Sequence, residues 1–419
     1  MSDPLLEAAE SLLPGDGIEG LYLHVPFCRK RCSYCAFHSQ ALPQDDQLLD
    51  DYALALSTRV RRLSKAGVLG DLRTIYLGGG TPSFLGARRL SGLIYMISLR
   101  VNLHDDTEFT LELNPDSFDR ALLKDLWALG VNRYSVGVQS FDDAVLKRLG
   151  RIHDANKALD AIDMLRERDA NFSVDLICGI PGQSMASWEE SLQRVIDLGV
   201  PHVSVYPLSM EEGTPFAHAV ESGTMPLPDD DLAADMMLLA HDMLQDAGLH
   251  HYEVASYARP GFESRHNLSY WKGAQYLGLG SSAASMLRKA NLEALLDSGI
   301  LAVEGDGAAL DGIGAHDSLR LVCQQDATSF ARSLGDVPML VDLEHLDLRS
   351  SVIEQIMLRM RLFEALDPAW LPVLDAAVPK LLETLETLRR EGLLDERFVP
   401  TGRGWLLGNR IYGSIWDLA

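Results

Sequence analysis

Three cysteines lie within eight residues near the start of the chain, at Cys28, Cys32 and Cys35, in the spacing C-x3-C-x2-C. Three thiolates on one short loop can bind three irons of a cubane iron–sulfur cluster and leave the fourth iron open to a small molecule. The basic run Arg29-Lys30-Arg31 inside the loop predicts lowered thiol pKa values. The spacing therefore predicts a metal centre with one exchangeable position.

A zinc site is the main metal alternative, because His38 is close enough in the sequence to supply a fourth ligand. Three buried, unligated cysteines would be the purely structural interpretation, and three at this spacing in a segment that opens with Pro26 argue against it. The other two cysteines, Cys178 and Cys323, lie in apolar surroundings without a ligating neighbour, and we interpret them as packing residues.

Strand and helix patterns alternate through the first half of the chain. The predicted strands are 21–25, 73–77, 108–113, 134–138, 172–177 and 203–206. The predicted helices between them are 48–63, 87–99, 120–129, 155–168 and 187–198. This alternation indicates an α/β fold with a parallel sheet and helices outside it, as an open barrel or a doubly wound layer.

Polar or glycine-rich features follow five of these strands in turn. They are Cys28, the loop 78–82 (Gly-Gly-Gly-Thr-Pro), Glu112, Gln139 and Asp175. Because ligands of such folds bind at the carboxyl ends of the strands, these features should meet at one rim of the sheet. Taken singly, each could be a capping residue or a turn; their order along successive strands favours a binding site.

The cysteine loop resembles that of the radical S-adenosylmethionine (SAM) superfamily, whose signature is C-x3-C-x-aromatic-C, with Tyr34 at the aromatic position. The lead-in Tyr22-Leu-His-Val-Pro-Phe-Cys28 is similar to that of the oxygen-independent coproporphyrinogen oxidase branch. The resemblance implies a partial (β/α)6 barrel that binds a [4Fe–4S] cluster and SAM. In that superfamily the open iron chelates SAM, and an electron from the cluster cleaves it to a 5′-deoxyadenosyl radical. A flavodoxin or ferredoxin is implied as donor if SAM is cleaved.

The same resemblance, strong over about residues 20–290, assigns the cofactor contacts. Three cysteines, Cys28, Cys32 and Cys35, are implied as cluster ligands. The residues implied to bind SAM are Tyr22, Tyr34, Gly79, Gly80, Thr81, Glu112, Gln139, Arg151 and Asp175.

Within this branch the chain departs from the coproporphyrinogen dehydrogenases, which resemble it in the barrel motifs. Their cysteine loop carries a further cysteine where this chain has Phe37, and they have a longer arm before the first strand. The HemW-type haem chaperones lack that cysteine and share H-N-x-x-Y-W, which here is His266-Asn-Leu-Ser-Tyr270-Trp271. Aromatic rings can hold a porphyrin and a neutral imidazole can ligate haem iron, so this string is the candidate haem site.

One departure from the chaperone pattern concerns the segment after Gly280. The family usually has Gly-Ala-His there, and this chain has Ser281-Ser-Ala-Ala-Ser285. Two alternatives in the same branch remain open: an oxygen-independent coproporphyrinogen III dehydrogenase, which decarboxylates its substrate oxidatively to protoporphyrinogen IX, and a radical SAM methyltransferase or cyclopropanase. The resemblance favours a haem chaperone that delivers haem to acceptor haemoproteins such as respiratory enzymes. Whether the chain also turns over a substrate is left open.

The chain divides into four predicted regions. These are an acidic N-terminal segment (1–19), the barrel with its H-N-x-x-Y-W extension (20–290), a linker (291–345) and a C-terminal helical, winged-helix-like domain (346–419). A hairpin-like wing is predicted over 398–407, with its turn at 401–404.

Composition narrows the remaining function classes. The formal net charge is −23, from 60 acidic and 37 basic residues, which argues against nonspecific nucleic-acid binding. No transmembrane span or secretory signal is expected, so we predict a cytoplasmic protein, with peripheral membrane contact left open.

Overall fold

A computed structural model describes residues 3–13, 15–70, 72–304, 310 and 312–419. The strands are β1 (Ile18–Val25), β2 (Phe27–Cys28), β3 (Gln40–Ala41), β4 (Thr74–Gly79), β5 (Glu108–Leu113), β6 (Arg133–Gln139), β7 (Asn171–Cys178), β8 (His202–Pro207), β9 (His250–Glu253), β10 (Ser256–Ala258), β11 (Gln275–Leu279), β12 (Ala284–Leu287), β13 (Leu301–Val303), β14 (Ser318–Cys323) and β15 (Met339–Leu346).

The α-helices are α1 (Pro4–Leu12), α2 (Gln47–Lys65), α3 (Gly86–Arg100), α4 (Arg120–Ala128), α5 (Asp143–Leu149), α6 (Ala155–Arg166), α7 (Met185–Asp197), α8 (Pro215–Glu221), α9 (Asp230–Asp246), α10 (Arg265–Trp271), α11 (Lys289–Asp297), α12 (Ala327–Arg332), α13 (Leu348–Arg359), α14 (Leu371–Ala377), α15 (Leu381–Arg390), α16 (Gly402–Leu406) and α17 (Gly408–Trp416). No helix in the described part of the chain is long and apolar enough to cross a membrane.

Six parallel strands, β1, β4, β5, β6, β7 and β8, lie side by side in chain order. They coincide with the six strands predicted from the sequence, and α2, α3, α4, α6 and α7 coincide with the five predicted helices. The sheet continues through β11 beyond β1 and through β10 and β9 beyond β8 in a linear order that does not close. The partial (β/α)6 barrel is therefore confirmed.

Apolar and polar residues alternate along the strands, so the two faces of this sheet differ in character. On β5, Phe109 and Leu111 are buried in the apolar core, while Glu108 and Glu112 point to the other face. The other barrel strands repeat this pattern because successive side chains of a strand point to opposite faces. The outer face binds the helices, and the inner face is left polar.

The segment 291–345 differs from the linker predicted from the sequence. Its described residues form β13, β14 and β15, which join the sheet through β12 and β11, and residues 305–309 and 311 lie outside the described part. Apolar residues such as Leu319, Leu321 and Val341 anchor these strands in the main core. The three residues of β13 lie within the Gly- and Asp-rich stretch 297–316 and give little pattern, whereas β14 and β15 follow that stretch and were not recognised from the sequence.

The C-terminal domain is helical, but the predicted wing over 398–407 is wrong. Only an isolated bridge between Leu394 and Pro400 forms there, and α16 begins at Gly402. Thr401 caps this helix by accepting a hydrogen bond from the backbone N of Gly404 at 3.0 Å. Helix α1 packs into the same apolar cluster through Ala8, Ala9 and Leu12, so the acidic N-terminal segment joins the C-terminal helices.

Candidate functional site

A cavity of about 560 Å³ opens at the carboxyl ends of the barrel strands. Eleven of the residues predicted from the sequence line it: Cys28, Cys32, Tyr34, Cys35, Gly79, Gly80, Thr81, Glu112, Gln139, Arg151 and Asp175. The strands β4 to β7 each supply at least one of them, as the parallel topology requires.

The cysteine loop is held at the rim by a short parallel pair, in which Phe27 pairs with Gln40 and Cys28 with Ala41. Within the loop, the backbone N of Cys35 donates to the carbonyl of Cys32 at 3.3 Å. All three thiols are free and partly exposed. They can therefore receive a metal centre from the cavity side.

Burial, rather than the basic run, dominates the titration of two of these thiols. Burial raises the pKa of Cys28, and a hydrogen bond with Thr81 acts in the opposite direction. Burial likewise raises the pKa of Cys35. The predicted lowering by Arg29-Lys30-Arg31 does not prevail at Cys28 or Cys35: these basic side chains are exposed, Arg29 pairs with Asp116 at 3.4 Å, and the effect of Arg31 on Cys35 is smaller than that of burial.

Two glycines let the β4 loop approach the cysteine loop. A Cβ on Gly80 would lie 2.8 Å from the Phe27 carbonyl oxygen and 3.1 Å from Cys28 Sγ. Gly79 has φ of 115°, and a Cβ there would meet the His24 ring at 2.5 Å. Close packing thus requires glycine at both positions, and at Gly79 the positive φ requires it as well.

Arg151 connects the far side of the cavity to the cysteines. Its Nη1 donates to Cys32 Sγ at 3.4 Å, and its Nη2 donates to Asn114 Oδ1 at 2.8 Å and to the Gly137 carbonyl at 2.6 Å. Asn114 Nδ2 in turn donates to Thr81 Oγ1 at 2.8 Å. Sequence reasoning missed Asn114, although its place directly after β5 could have suggested it.

Two carboxyl groups face the cavity from β5 and β7, the strands on either side of β6. Burial raises the pKa of Glu112 to about 7, although Tyr76 OH and the Gly79 backbone N donate to it at 2.8 and 3.0 Å. Burial raises the pKa of Asp175 to about 6, against a hydrogen bond from Ser135 Oγ at 3.1 Å. Both carboxyl groups therefore titrate closer to neutral pH than an exposed carboxyl group, and a bound cation or added hydrogen bonds would favour their ionised forms.

The remaining predicted residues of this rim differ in placement. Gln139 lines the cavity with a φ of 70°, a left-handed conformation that is strained for a non-glycine residue. Tyr34 lines it from the cysteine loop. Tyr22 is not among the described lining residues: its hydroxyl lies 2.9 Å from His24 Nδ1 and its ring tilts against Tyr76. Its role over the cofactor stays a prediction.

The donor set fits an iron–sulfur cluster better than a single zinc ion. Within the described residues, no three His, Cys, Asp or Glu side chains are arranged to hold one metal ion. His38, the proposed fourth zinc ligand, has its Nε2 2.7 Å from Ser281 Oγ. Three free thiols on a cavity large enough for a second small molecule match a cluster with an open iron.

The H-N-x-x-Y-W string lies at the opposite end of the barrel. His266 is 1% exposed; its Nδ1 lies 2.8 Å from Thr74 Oγ1 and its Nε2 lies 2.7 Å from Tyr270 OH. Trp271 Nε1 donates to Glu253 at 3.1 Å. Thr74 is the first residue of β4, so this helix closes the amino-terminal end of the barrel. Both ring nitrogens of His266 have hydrogen-bond partners in this structure, and the assignment of His266, Tyr270 and Trp271 as haem residues stays a prediction.

Two charged residues, Arg133 and Glu108, form a polar floor at the amino-terminal end of the barrel, which was not predicted from the sequence. Arg133 begins β6 at 2% exposed and lines the cavity, with Nε 3.9 Å from Glu108 Oε2 and no hydrogen-bond partner for Nε or Nη2 among the described residues. Glu108 accepts from the backbone N of Arg265 and of His266 at 3.0 and 2.9 Å. The period-2 pattern of polar residues on β5 and β6 was the available signal.

Comparison with known proteins agrees with this geometry. The model of the radical SAM superfamily matches residues 22–195. The chain is 37% identical over 267 residues to the heme chaperone HemW of Lactococcus lactis, covering 64% of this chain and 69% of that protein. It is 38% identical over 266 residues to HemW of Escherichia coli, covering 63% and 68%.

Two further similarities extend the comparison. The mitochondrial radical S-adenosyl methionine domain-containing protein 1 of Danio rerio is 36% identical over 281 residues, 67% of this chain but only 63% of that protein. Among solved structures, the coproporphyrinogen III oxidase HemN of E. coli superposes with a TM-score of 0.74, covering 99% of this chain and 93% of that one. At 21% identity this match establishes a shared fold only.

Proposed function

Since this chain belongs to the radical SAM superfamily and, within it, to the HemW family, we propose that it is a haem chaperone that binds haem and delivers it to acceptor haemoproteins. In this proposal a [4Fe–4S] cluster and SAM occupy the cavity at the carboxyl ends of the strands. Acceptors such as respiratory enzymes, a flavodoxin or ferredoxin as electron donor and a cytoplasmic location belong to the same proposal.

One observation carries the proposal. In a chain 37% identical to a heme chaperone, three free thiols and eight further residues implied by the family resemblance line a single cavity. Those residues come from separate strands and loops over more than a hundred positions, so their convergence is not a consequence of local sequence. It is the arrangement that a cluster and an adjacent small cofactor require.

Cys28, Cys32 and Cys35 would hold the cluster, which supplies an open iron position and an electron source when bound. Arg151 would place a positive charge against the thiolate of Cys32, through the contact of 3.4 Å. Glu112, fixed by Tyr76 and Gly79, would accept an amine or hydroxyl of the cofactor. Release of its proton near neutral pH, where its pKa lies at about 7, would accompany binding of a cation.

The decisive experiment is a haem titration of the anaerobically reconstituted protein, followed by the Soret band. We expect a saturable shift at one haem per chain. Absence of that shift together with turnover of coproporphyrinogen III would overturn the proposal in favour of the dehydrogenase, and methyl transfer from SAM to a substrate would favour the methyltransferases of this branch.

A matched pair of cysteine variants tests the cluster separately. Cys32→Ala should lose iron, acid-labile sulfide and the visible absorption, because three thiolates are needed for this site. Cys178→Ala, at a buried cysteine on the outer face of β7, should retain all three. A colourless wild-type protein that contains one zinc after reconstitution would refute the cluster.

A further inference from the structure

A second cavity, of about 420 Å³, lies below the barrel floor and is here called the lower cavity. It is lined by four cationic side chains, Arg73, Arg265, Lys272 and Arg359, and by one carboxylate, Glu19. This formal excess of three positive charges occurs in a chain whose net charge is −23. Because the lining is positive while the chain as a whole is negative, the cavity favours binding of an anionic ligand.

Helix α10 contributes one of its faces to this cavity. Arg265, Leu268 and Ser269 line the cavity, and Lys272 follows one turn later. His266 and Tyr270 lie on the other face and point into the barrel floor, where they hydrogen bond to each other. The H-N-x-x-Y-W helix is thus fixed from inside by His266 and presents a basic and apolar surface on the outside.

The lower cavity is amphipathic. Leu13 and Leu268, both partly exposed, supply apolar wall alongside the cations, and the end of α1 forms one side. An inorganic anion alone would leave these leucine side chains exposed to water. A molecule with a large apolar body and carboxylates at one edge would satisfy both surfaces.

Three of the four cations have a carboxylate nearby. Arg73 Nε lies 3.6 Å from Glu19, Lys272 Nζ lies 3.1 Å from Glu364, and Arg265 Nε lies 4.0 Å from Glu108, which also faces Arg133. Among the described residues Arg359 alone of the four has no ion pair, so an anion in the cavity would complete its pairing.

Arg359 is the least satisfied of the four cations. Its Nη2 donates to the Leu12 carbonyl at 3.2 Å, its guanidinium lies over the Trp370 ring, and its Nε is buried without a hydrogen-bond partner in the part of the chain that the structure describes. Burial lowers the pKa of Arg359, with Glu364 acting against it. A desolvated guanidinium of this kind gains from a carboxylate.

We propose that the lower cavity is the haem site, with the propionates bound by Arg73, Arg265 and Arg359 and the macrocycle against the leucine wall. This placement rests on the proposed chaperone function. It separates haem from the cluster by the length of the barrel, and it requires no iron ligand from His266.

The test measures the affinity of three probes: haem, metal-free protoporphyrin IX and the dimethyl ester of protoporphyrin IX. We expect the first two to bind within about tenfold of each other and the ester to bind at least tenfold more weakly, because carboxylate recognition is lost. Equal binding of the ester, or no binding of the metal-free acid, would overturn the placement.

Charge-reversal variants locate the site. The double variant Arg73→Glu, Lys272→Glu should weaken haem binding at least tenfold. The control is the double variant Arg120→Glu, Lys124→Glu, which makes an equal charge change at exposed residues of α4 and should alter haem affinity less than about twofold. Cys32→Ala should retain haem affinity. Circular dichroism and thermal unfolding establish that each variant is folded.

The outcomes separate the two proposals. A wild-type protein that binds no porphyrin refutes the chaperone function. If the wild-type protein binds haem and the Arg73→Glu, Lys272→Glu variant binds it with the same affinity, only the lower cavity as the location of the site is refuted.

Discussion

The His266 Nδ1 lies 2.8 Å from Thr74 Oγ1, across 192 positions of sequence. This hydrogen bond ties the first turn of α10 to the first residue of β4, and the His266 ring stacks on Tyr76 at 4.8 Å between centroids. Burial lowers the pKa of His266 to about 3, so the ring is neutral at physiological pH. His266 therefore stabilises the barrel floor as a neutral hydrogen-bonding residue.

We predict that His266→Ala lowers the free energy of unfolding by about 2–4 kcal/mol, because it removes two hydrogen bonds and leaves the buried Thr74 hydroxyl without its partner. Urea unfolding of the cofactor-free protein measures this. His218→Ala, at an exposed histidine on α8, is the control and should change stability by less than about 0.5 kcal/mol. Equal stabilities of the His266 variant and wild type would contradict the structural role.

Gly80→Ala should impair cluster loading and cost about 1–3 kcal/mol of stability, because the added Cβ would meet backbone atoms of Phe27 at under 3.0 Å. Iron and sulfide content after reconstitution, with thermal unfolding, checks both effects. Gly92→Ala on α3 has open space around the new methyl group, so that control should load normally and gain up to about 1 kcal/mol. Normal cluster content in Gly80→Ala would argue against close apposition of the two loops.

Arg151→Gln should shift the reduction potential of the cluster to more negative values, because a positive charge and a hydrogen bond to Cys32 Sγ are lost. Redox titration followed by electron paramagnetic resonance measures the shift. Arg151→Lys keeps the charge and should shift the potential less. An unchanged potential in Arg151→Gln would show that the contact is not retained in the loaded protein.

The contribution of Glu112 to the stability of the cofactor-free protein should fall as pH rises. The pKa of Glu112 is about 7 in the fold against an ordinary value of 4.5, so the folded state holds this proton more tightly than the unfolded chain. The resulting stabilisation is fully present below about pH 4.5 and is lost as pH rises through 7. Asp175, with a pKa of about 6, acts in the same direction.

Glu112→Gln should therefore be more stable than wild type at pH 8, by roughly 1–2 kcal/mol after allowance for solvent in the cavity, and should match it near pH 4.5. Thermal unfolding across this range measures the difference. Glu190→Gln, on the exposed face of α7, should follow the wild-type curve. A Glu112→Gln curve parallel to wild type would place this carboxylate in contact with bulk water.

The sequence determined the elements that depend on local pattern. The cysteine spacing places three thiols on one loop whatever the surrounding fold, and the alternation of strands and helices predicted the six parallel strands that the structure contains. Because the carboxyl ends of parallel strands meet at one edge, the order of Gly80, Glu112 and Asp175 along the chain was enough to place them together.

Only the tertiary structure decided which partners distant residues acquire. His266 is a ligand candidate by its type and neighbours, and only the fold shows that its two ring nitrogens lie within hydrogen-bond distance of Thr74 and Tyr270. Burial by elements far away in sequence outweighed the adjacent basic run at Cys28 and Cys35. Arg73 and Arg359 share a cavity because α10, α1 and α13 pack below the barrel. Pairings of this kind depend on long-range packing, which short-range sequence patterns do not encode.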